Sequence, residues 1–483
     1  MKSLLTLGLL VFSQSVFAGN SLSTKIHNQY VSLRALGMGN AFTAVADDYT
    51  LIMYNPAGFA KKKNNEIQFS LLGAGGAKET VDFAKDVSDA GKTTGTDTDK
   101  ANAISTVIDK YAGDTMGGRI QAAELFWIRK NWGFALIPVD LSLDVTIDKQ
   151  LGPTVDLNVI KDSTLAIGGG GDVNKELSWG ITVKGIHRLQ VSEKLVALQL
   201  ATEPNLVDAD RASEGFTVDG DIGFLYSPSW FSKSVTRRVP AQASDTTVVK
   251  KGKSRKTEVK KPETVGTDGL SLTIDGASET AKVATSHEGA SGTTVAASGT
   301  AEVASGTAEV ASGTAEVVAE EPKKEEKKES KLIDVVEETY PLTFSLVARN
   351  VVGSKFAKEK LINKKATEAP DSLPQVFDVG SQYEFATFGS LTLRAMLDFK
   401  NLGHPEATTT AKTTHAGVEF DYSPSGWFKT QFRAGMNQGY YTAGTTLLLG
   451  FFNIEAATYG EEVGTKTTKV QNRVYAAKLG MNF

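Results

Sequence analysis

The sequence predicts an all-β protein, an antiparallel transmembrane β-barrel of about 14 strands, and three observations predict it. From about Glu66 onward apolar and polar residues alternate, which is the period of a strand with one apolar and one polar face. The alternating segments run about 9 to 16 residues, the length of tilted spanning strands. The chain opens on an export leader and closes on an aromatic strand residue, Phe483. A water-soluble sandwich would also alternate, so the conjunction decides rather than the alternation alone.

The leader comes first. Lys2, the apolar stretch Leu4 to Phe12 and Ser15-Val16-Phe17-Ala18 form a secretory signal peptide over residues 1–18, cut after Ala18. Its apolar core is too short to span a bilayer. Beyond residue 20 no run of about 18 apolar residues occurs, and mean hydropathy is -0.17, which excludes a polytopic helical membrane protein. The absence of cysteine among 483 residues removes disulfides, thiolate catalysis, zinc ribbons and iron–sulfur ligation. A net charge of -4 gives no global case for nucleic acid, and none is expected as a partner.

Strands are expected at 66–74, 122–130, 132–147, 155–170, 176–189 and 216–227, then at 341–350, 376–386, 389–400, 412–422, 426–437, 440–449, 451–460 and 470–483. The total is even, as single-chain bacterial barrels require. In 389–399 Leu391, Leu393, Ala395, Leu397 and Phe399 share one face, and in the last strand Tyr475, Ala477, Leu479, Met481 and Phe483 do. A terminal Phe on the apolar face resembles the signature read by barrel-assembly machinery, with Tyr475 and Phe483 its aromatic positions.

Residues 232–336 break the pattern and divide the barrel into strands 1–6 (66–231) and 7–14 (337–483). They hold a basic cluster from Lys250 to Lys261, SGTAEVA at 298–304 and 305–311, SGTAEVV at 312–318, and EEPKKEEKKESK at 320–331. The seven-residue period carries no large apolar seam, so a long disordered insertion is expected rather than a coiled coil. The basic cluster reads as a solvated charge run, with an anionic envelope polymer or acidic protein as its functional alternative. Parity counted back from Phe483 places the insertion in the periplasm, where it could reach a partner.

Residues 19–65 precede the first strand. Glycines 37 and 39 allow close backbone approach, and Asn55-Pro56 turns the chain. Arg34, Gly37-Met38-Gly39, Ala44-Val45-Ala46-Asp47-Asp48 and Asn55-Pro56-Ala57-Gly58 resemble the N-terminal plug of the FadL-type outer-membrane transporter superfamily, and more closely its PorV-type branch. The segments 219–226, 393–395 and 432–437 are similar to strands of the same superfamily. The resemblance implies an N-terminal lumenal hatch containing Arg34, Gly37, Gly39, Asp47, Asp48, Asn55, Pro56, Ala57 and Gly58. It implies passive uptake of hydrophobic small molecules, long-chain fatty acids or hydrocarbons, across the bacterial cell outer membrane. The alternative, from the PorV-type branch, is a docking or shuttle scaffold for secreted proteins. A greasy pocket behind Asn55 to Gly58 would favour uptake, and a lumen packed with ion pairs would favour the scaffold.

Ile104, Val107, Ile108 and Tyr111 recur at helical spacing within 101–114, an amphipathic helix in the first external loop. They could capture a hydrophobic ligand or simply pack onto neighbouring loops. Asp378, Glu384, Arg394, Asp398, Glu419, Asp421, Lys429, Arg433 and Glu455 lie on polar strand faces and are expected to pair across the lumen. No Gly-x-Ser-x-Gly or HExxH motif occurs, and the five histidines show no ligand spacing. No enzyme activity, cofactor or metal is therefore expected; the expected partners are outer-membrane lipid, a hydrophobic ligand and the assembly machinery.

Overall fold

The computed structural model describes residues 25–148, 154–202, 209–240, 332–388, 390–466 and 468–483. The signal peptide at 1–18 and most of the 232–336 insertion, including its basic cluster and repeats, lie outside the described residues.

Six strands precede the insertion: β1 (Glu66–Ala77), β2 (Thr115–Arg129), β3 (Trp132–Asp148), β4 (Thr154–Asp172), β5 (Leu177–Val196) and β6 (Ser213–Tyr226). β7 (Lys233–Pro240) and β8 (Leu332–Thr339) pair with each other in a separate two-stranded sheet at the edges of the insertion. The chain continues through β9 (Leu342–Arg349), the short β10 (Ala357–Lys358), β11 (Val376–Phe388), β12 (Leu391–Leu402) and β13 (Thr414–Ser425). It ends with β14 (Phe428–Asn437), β15 (Tyr440–Leu449), β16 (Phe452–Glu462) and β17 (Gln471–Asn482). Every alternating segment expected from the sequence is a strand.

Fourteen of these strands form one closed antiparallel barrel, each paired with its chain neighbour, with β1 on β17 and β6 on β9 sealing it. The Ile67 and Phe483 backbones exchange bonds of 2.9 and 2.8 Å, so the last residue takes part in closure. Closure removes every edge, which lets a strand wall stand in a bilayer.

Side chains alternate across the wall. Lumen-facing positions such as Lys184, Asp221, Glu419 and Arg433 are buried and polar, whereas Ile181, Val183, Leu346 and Val379 point outward and stay exposed. A polar interior within an apolar exterior is the membrane-spanning arrangement. Aromatic residues ring the outward face at both ends of the strands. Trp132, Trp179, Tyr226, Tyr422, Phe452 and Phe483 mark the rim of tight turns, and Phe216, Phe377, Phe399, Tyr441 and Tyr475 the rim of long loops.

β2 begins at Thr115, seven residues before the expected start, and β5 reaches Val196. At 20 residues β5 is longer than a bilayer crossing needs. The surplus carries an apolar outward face, with Met116, Val145, Ile147, Val155, Leu157, Val159, Val191 and Leu195. α4 (Lys78–Gly91), α5 (Asp97–Lys110) and the short α6 (Ala197–Thr202) cover it. α5 starts on a capping box between Thr96 and Asp99. Hydrogen bonds from Lys110 (2.7 Å) and Tyr111 (2.8 Å) tie it to Asp86 of α4 and hold that carboxyl below its ordinary range.

Candidate functional site: the hatch and its walls

Residues 25–61 fill the lumen. They contain three short helices, α1 (Leu33–Gly37), α2 (Leu51–Tyr54) and α3 (Gly58–Lys61), and almost every side chain in them from Tyr30 to Ala60 is buried.

Two glycine-lined lanes let the hatch backbone lie against the wall. On one side Gly417 and Gly435 face each other across β13 and β14, and Gly444 lies alongside on β15. A Cβ at Gly435 would sit 2.7 Å from the Met38 carbonyl carbon and 2.8 Å from Gly39 N, and one at Gly37 would sit 3.0 Å from the Gly444 Cα. Gly39 has φ +69°, a conformation that favours glycine. Thr442 on β15 bonds both Gly39 N and Gly37 O at 3.0 Å, and His415 Nδ1 lies 2.8 Å from Gly39 O.

On the opposite side Gly170, Gly180 and Gly223 lie in register on β4, β5 and β6. They receive the Asn55-Pro56-Ala57 turn so closely that a Cβ at Gly180 or Gly223 would overlap Pro56 or Asn55. Asn55 Nδ2 donates to Thr43 O (2.8 Å) and Phe224 O (3.3 Å), while its Oδ1 accepts from Ala57 N (3.0 Å). Gly58 packs against the Ala46 carbonyl. The residues singled out in the plug motif thus come together here as contacts between hatch and wall, or as bonds within the hatch.

Charge adds to the first lane. The Arg34 guanidinium grips Glu419 with two bonds (2.9 and 2.7 Å) and also reaches Asp47 (2.6 Å) and Asp48 (3.0 Å). Glu419 also accepts from Arg433 (2.9 Å), and Arg394 reaches Asp47 at 2.6 Å. Such bidentate, charge-assisted bonds fix direction as well as distance. Of the other expected wall charges, Lys429 meets Asp421 (2.9 Å) and Asp378 meets Arg349 (2.6 Å). Asp398 instead accepts the Phe42 and Thr43 N–H groups at 2.8 Å, and Glu455 meets Tyr49 (3.3 Å) and Asn453 (3.0 Å).

One stretch of the lumen differs. Paired bulges at Ala122-Ala123 and Pro138-Val139, with Ala123 at φ +56°, shift the alternation of β2 and β3 by one position. On the loop side Arg119, Gln121, Asp140 and Ser142 face inward; on the turn side Phe126, Ile128, Ala135 and Ile137 do. This apolar wall, extended by Ala166, packs against Phe42, Ile52 and Phe59 of the hatch. On the loop side of the hatch lies a solvent-open cleft bordered by Tyr30, Tyr54, Arg349, Lys400 and His404. Burial pushes the His404 imidazole down to about 4.

Outside the lumen, Ile104, Ile108 and Tyr111 are buried and Val107 is partly so, all in the cluster that covers the outward face of β2 to β5. The structure therefore uses this apolar stripe for packing. Tyr475 and Phe483 point outward at opposite rims, and the Phe483 ring stacks on Phe451 at 6.1 Å. Among the described residues no group of His, Asp and Glu is arranged to hold a metal.

The architecture defines a class, a membrane-spanning barrel plugged by its own N-terminal segment. No family model and no curated protein matches the chain. Among solved structures it is similar to the CymD monoaromatic hydrocarbon channel (8% identity, 95% of this chain and 98% of that chain covered, TM-score 0.39). It is also similar to the Ralstonia pickettii toluene transporter TbuX (8%, 94% and 98%, 0.39) and to a Pseudomonas aeruginosa FadL homologue (9%, 95% and 98%, 0.34). The FadL-type and PorV-type resemblances rest on the plug motif.

Proposed function

We propose that this chain is an outer-membrane barrel for passive uptake of hydrophobic small molecules, long-chain fatty acids or hydrocarbons, gated by its hatch. The observation that carries this reading is the apolar wall of Phe126, Ile128, Ala135, Ile137 and Ala166 inside an otherwise polar lumen. A water-filled pore gains nothing from such a wall. A hydrophobic ligand gains by replacing Phe42, Ile52 and Phe59 upon it, because the exchange keeps apolar surface out of water. Binding there would shift the hatch toward a displaced state in proportion to the ligand's preference for that state. Diffusion down a gradient supplies the free energy. Capture by α5 would require the helix to leave its packed position first.

The scaffold reading retains one favouring observation, the ion pairs that lock much of the lumen: Arg119 with Asp140, Arg188 with Asp162, Lys184 with Asp221 and Lys478 with Glu124. In that reading the insertion leaves from the tight-turn rim, on the periplasmic side, and supplies the docking arm. Flux of a hydrophobic tracer into proteoliposomes separates the two. Uptake predicts flux above that of empty liposomes, and a further rise when residues 30–60 are deleted. Flux equal to empty liposomes for the full-length chain would reject transport and leave the scaffold.

A further inference from the structure

The loop between β9 and β11 does not stay inside the barrel. Phe356 packs in a lumenal cluster with Ile186 and Leu373, β10 pairs with the upper edge of β6, and residues 359–363 then cross to the outward face. Glu214 marks that face, because it shares the alternation of Phe216 and Val218, both exposed to the outside. Its carboxylate is fully covered by the loop. It accepts the N–H groups of Leu361 (3.1 Å), Ile362 (2.9 and 3.1 Å) and Asn363 (2.7 Å), and lies 2.8 Å from His187 Nε2.

This anchor holds an unusual tip. Leu361 is 67% exposed and Ile362 51%, although their backbones are pinned. Lys358, Lys360 and Lys364 surround them, all exposed. Asp210 pairs with Lys365 at 2.5 Å and the Glu214 charge is taken up by the loop N–H groups. Among the described residues Lys358, Lys360 and Lys364 make no ion pair, Lys358 reaching only the Thr367 carbonyl at 3.5 Å. Depth completes the picture. Glu214 stands twelve residues along β6 from Tyr226 at the tight-turn rim. At ~3.3 Å per residue and a tilt of ~40°, that is roughly 30 Å along the membrane normal, the thickness of the hydrocarbon core. The tip therefore lies just beyond the upper aromatic ring, at headgroup level.

We propose that the Lys358–Lys364 tip docks a phosphorylated, acylated lipid of the outer leaflet, the chemistry of a lipid A headgroup. Leu361 and Ile362 enter the acyl boundary while Lys358, Lys360 and Lys364 meet the phosphates. The proposal rests on the membrane-spanning reading of the barrel and is independent of what the lumen carries.

Full-length protein in detergent, titrated with bisphosphorylated lipid A and with its dephosphorylated form, tests it by native mass spectrometry. The triple variant Lys358→Gln/Lys360→Gln/Lys364→Gln should bind lipid A at least ~10-fold more weakly. Leu361→Ser/Ile362→Ser should weaken both lipids. Glu214→Gln should weaken lipid A while leaving all three lysines in place, because it loosens the tip. Equal binding of lipid A by wild type and the triple variant, or equal wild-type binding of the two lipids, would overturn the proposal. Heat-modifiable gel mobility shows that each variant is folded, and if the triple variant fails there, Lys360→Gln/Lys364→Gln replaces it. A wild-type chain without heat-modifiable mobility would reject the barrel reading, and the proposal with it.

Discussion

The two glycine lanes hold one hatch by different chemistry. On β13 to β15 the backbone of Gly37 to Gly39 is pressed on Gly417, Gly435 and Gly444, with the Arg34, Glu419 and Arg433 cluster beside it. On β4 to β6 the Asn55 turn packs closely on Gly170, Gly180 and Gly223 and donates one neutral amide bond to the wall, to Phe224 O (3.3 Å). Arg349 of β9 donates to the Met53 and Tyr54 carbonyls just before the turn (2.7 and 2.8 Å). Breaking a buried charge cluster strands its partners, whereas a neutral amide can trade its bonds for water. Under the uptake proposal, the difference would give the hatch a fixed side and a releasable side. The releasable side is the one beside the apolar wall, where Phe59 packs.

The largest expected effect comes from filling the fixed lane. Gly435→Val places a branched side chain where even a Cβ would stand 2.7 Å from the Met38 backbone. Backbone cannot retreat from a paired wall, so the hatch should be expelled. Planar-bilayer recordings should show large open-channel currents that wild type lacks; a quiet, folded variant would break the comparison.

Arg34→Ala comes next. It leaves the fully buried Glu419 short of a partner, a loss of roughly 3–5 kcal/mol, whereas the exposed Asp47 can turn to water. Guanidinium denaturation with heat-modifiability as readout should reveal it, and limited proteolysis should cut the hatch sooner. Arg34→Lys should recover only part, since one ammonium cannot reproduce two parallel bonds to Glu419.

How far the sequence shows these features follows from period and register. Alternation located all the barrel strands because inward-polar and outward-apolar faces are written residue by residue, as in Leu391 to Phe399. The start of β2 was missed because Thr115 to Gly118 holds two glycines and little contrast between faces. The outward cover by α4 to α6 left no trace in the strands, since an apolar face looks the same whether it meets lipid or a helix. The glycine lanes were hidden for a related reason. Gly180 and Gly223 are neighbours only through strand register, which a single sequence does not print. Their signal was available in part, as isolated glycines inside otherwise regular strands. The bulge at Ala123, which creates the apolar wall, likewise depends on a backbone angle rather than a residue type.

A smaller effect is expected on the releasable side. Asn55→Ala removes the bonds to Thr43 O, Phe224 O and Ala57 N. Two carbonyls and one N–H are left to find water, a loss of roughly 1–3 kcal/mol. If the comparison holds, this variant should raise tracer flux more than it lowers stability, while Arg34→Lys does the reverse. Equal ratios for the two would erase the distinction between the lanes.

The smallest effect should come from outside the lumen, which makes it a control for the rest. Phe483 is 65% exposed on the outward face, and its ring contact is the parallel stack on Phe451. Its backbone bonds with Ile67 close the barrel and do not depend on the ring. Phe483→Ala should therefore cost the folded barrel only about 0.5–1.5 kcal/mol. Hatch proteolysis and tracer flux should match wild type, because the side chain faces away from both lanes. If assembly reads the terminal ring, as the resemblance of the last strand implies, the yield of folded protein in outer membranes should still fall. A change in flux with normal yield would mean that the seam between β1 and β17 is coupled to the hatch, and the division into a fixed and a releasable side would have to include a third contact.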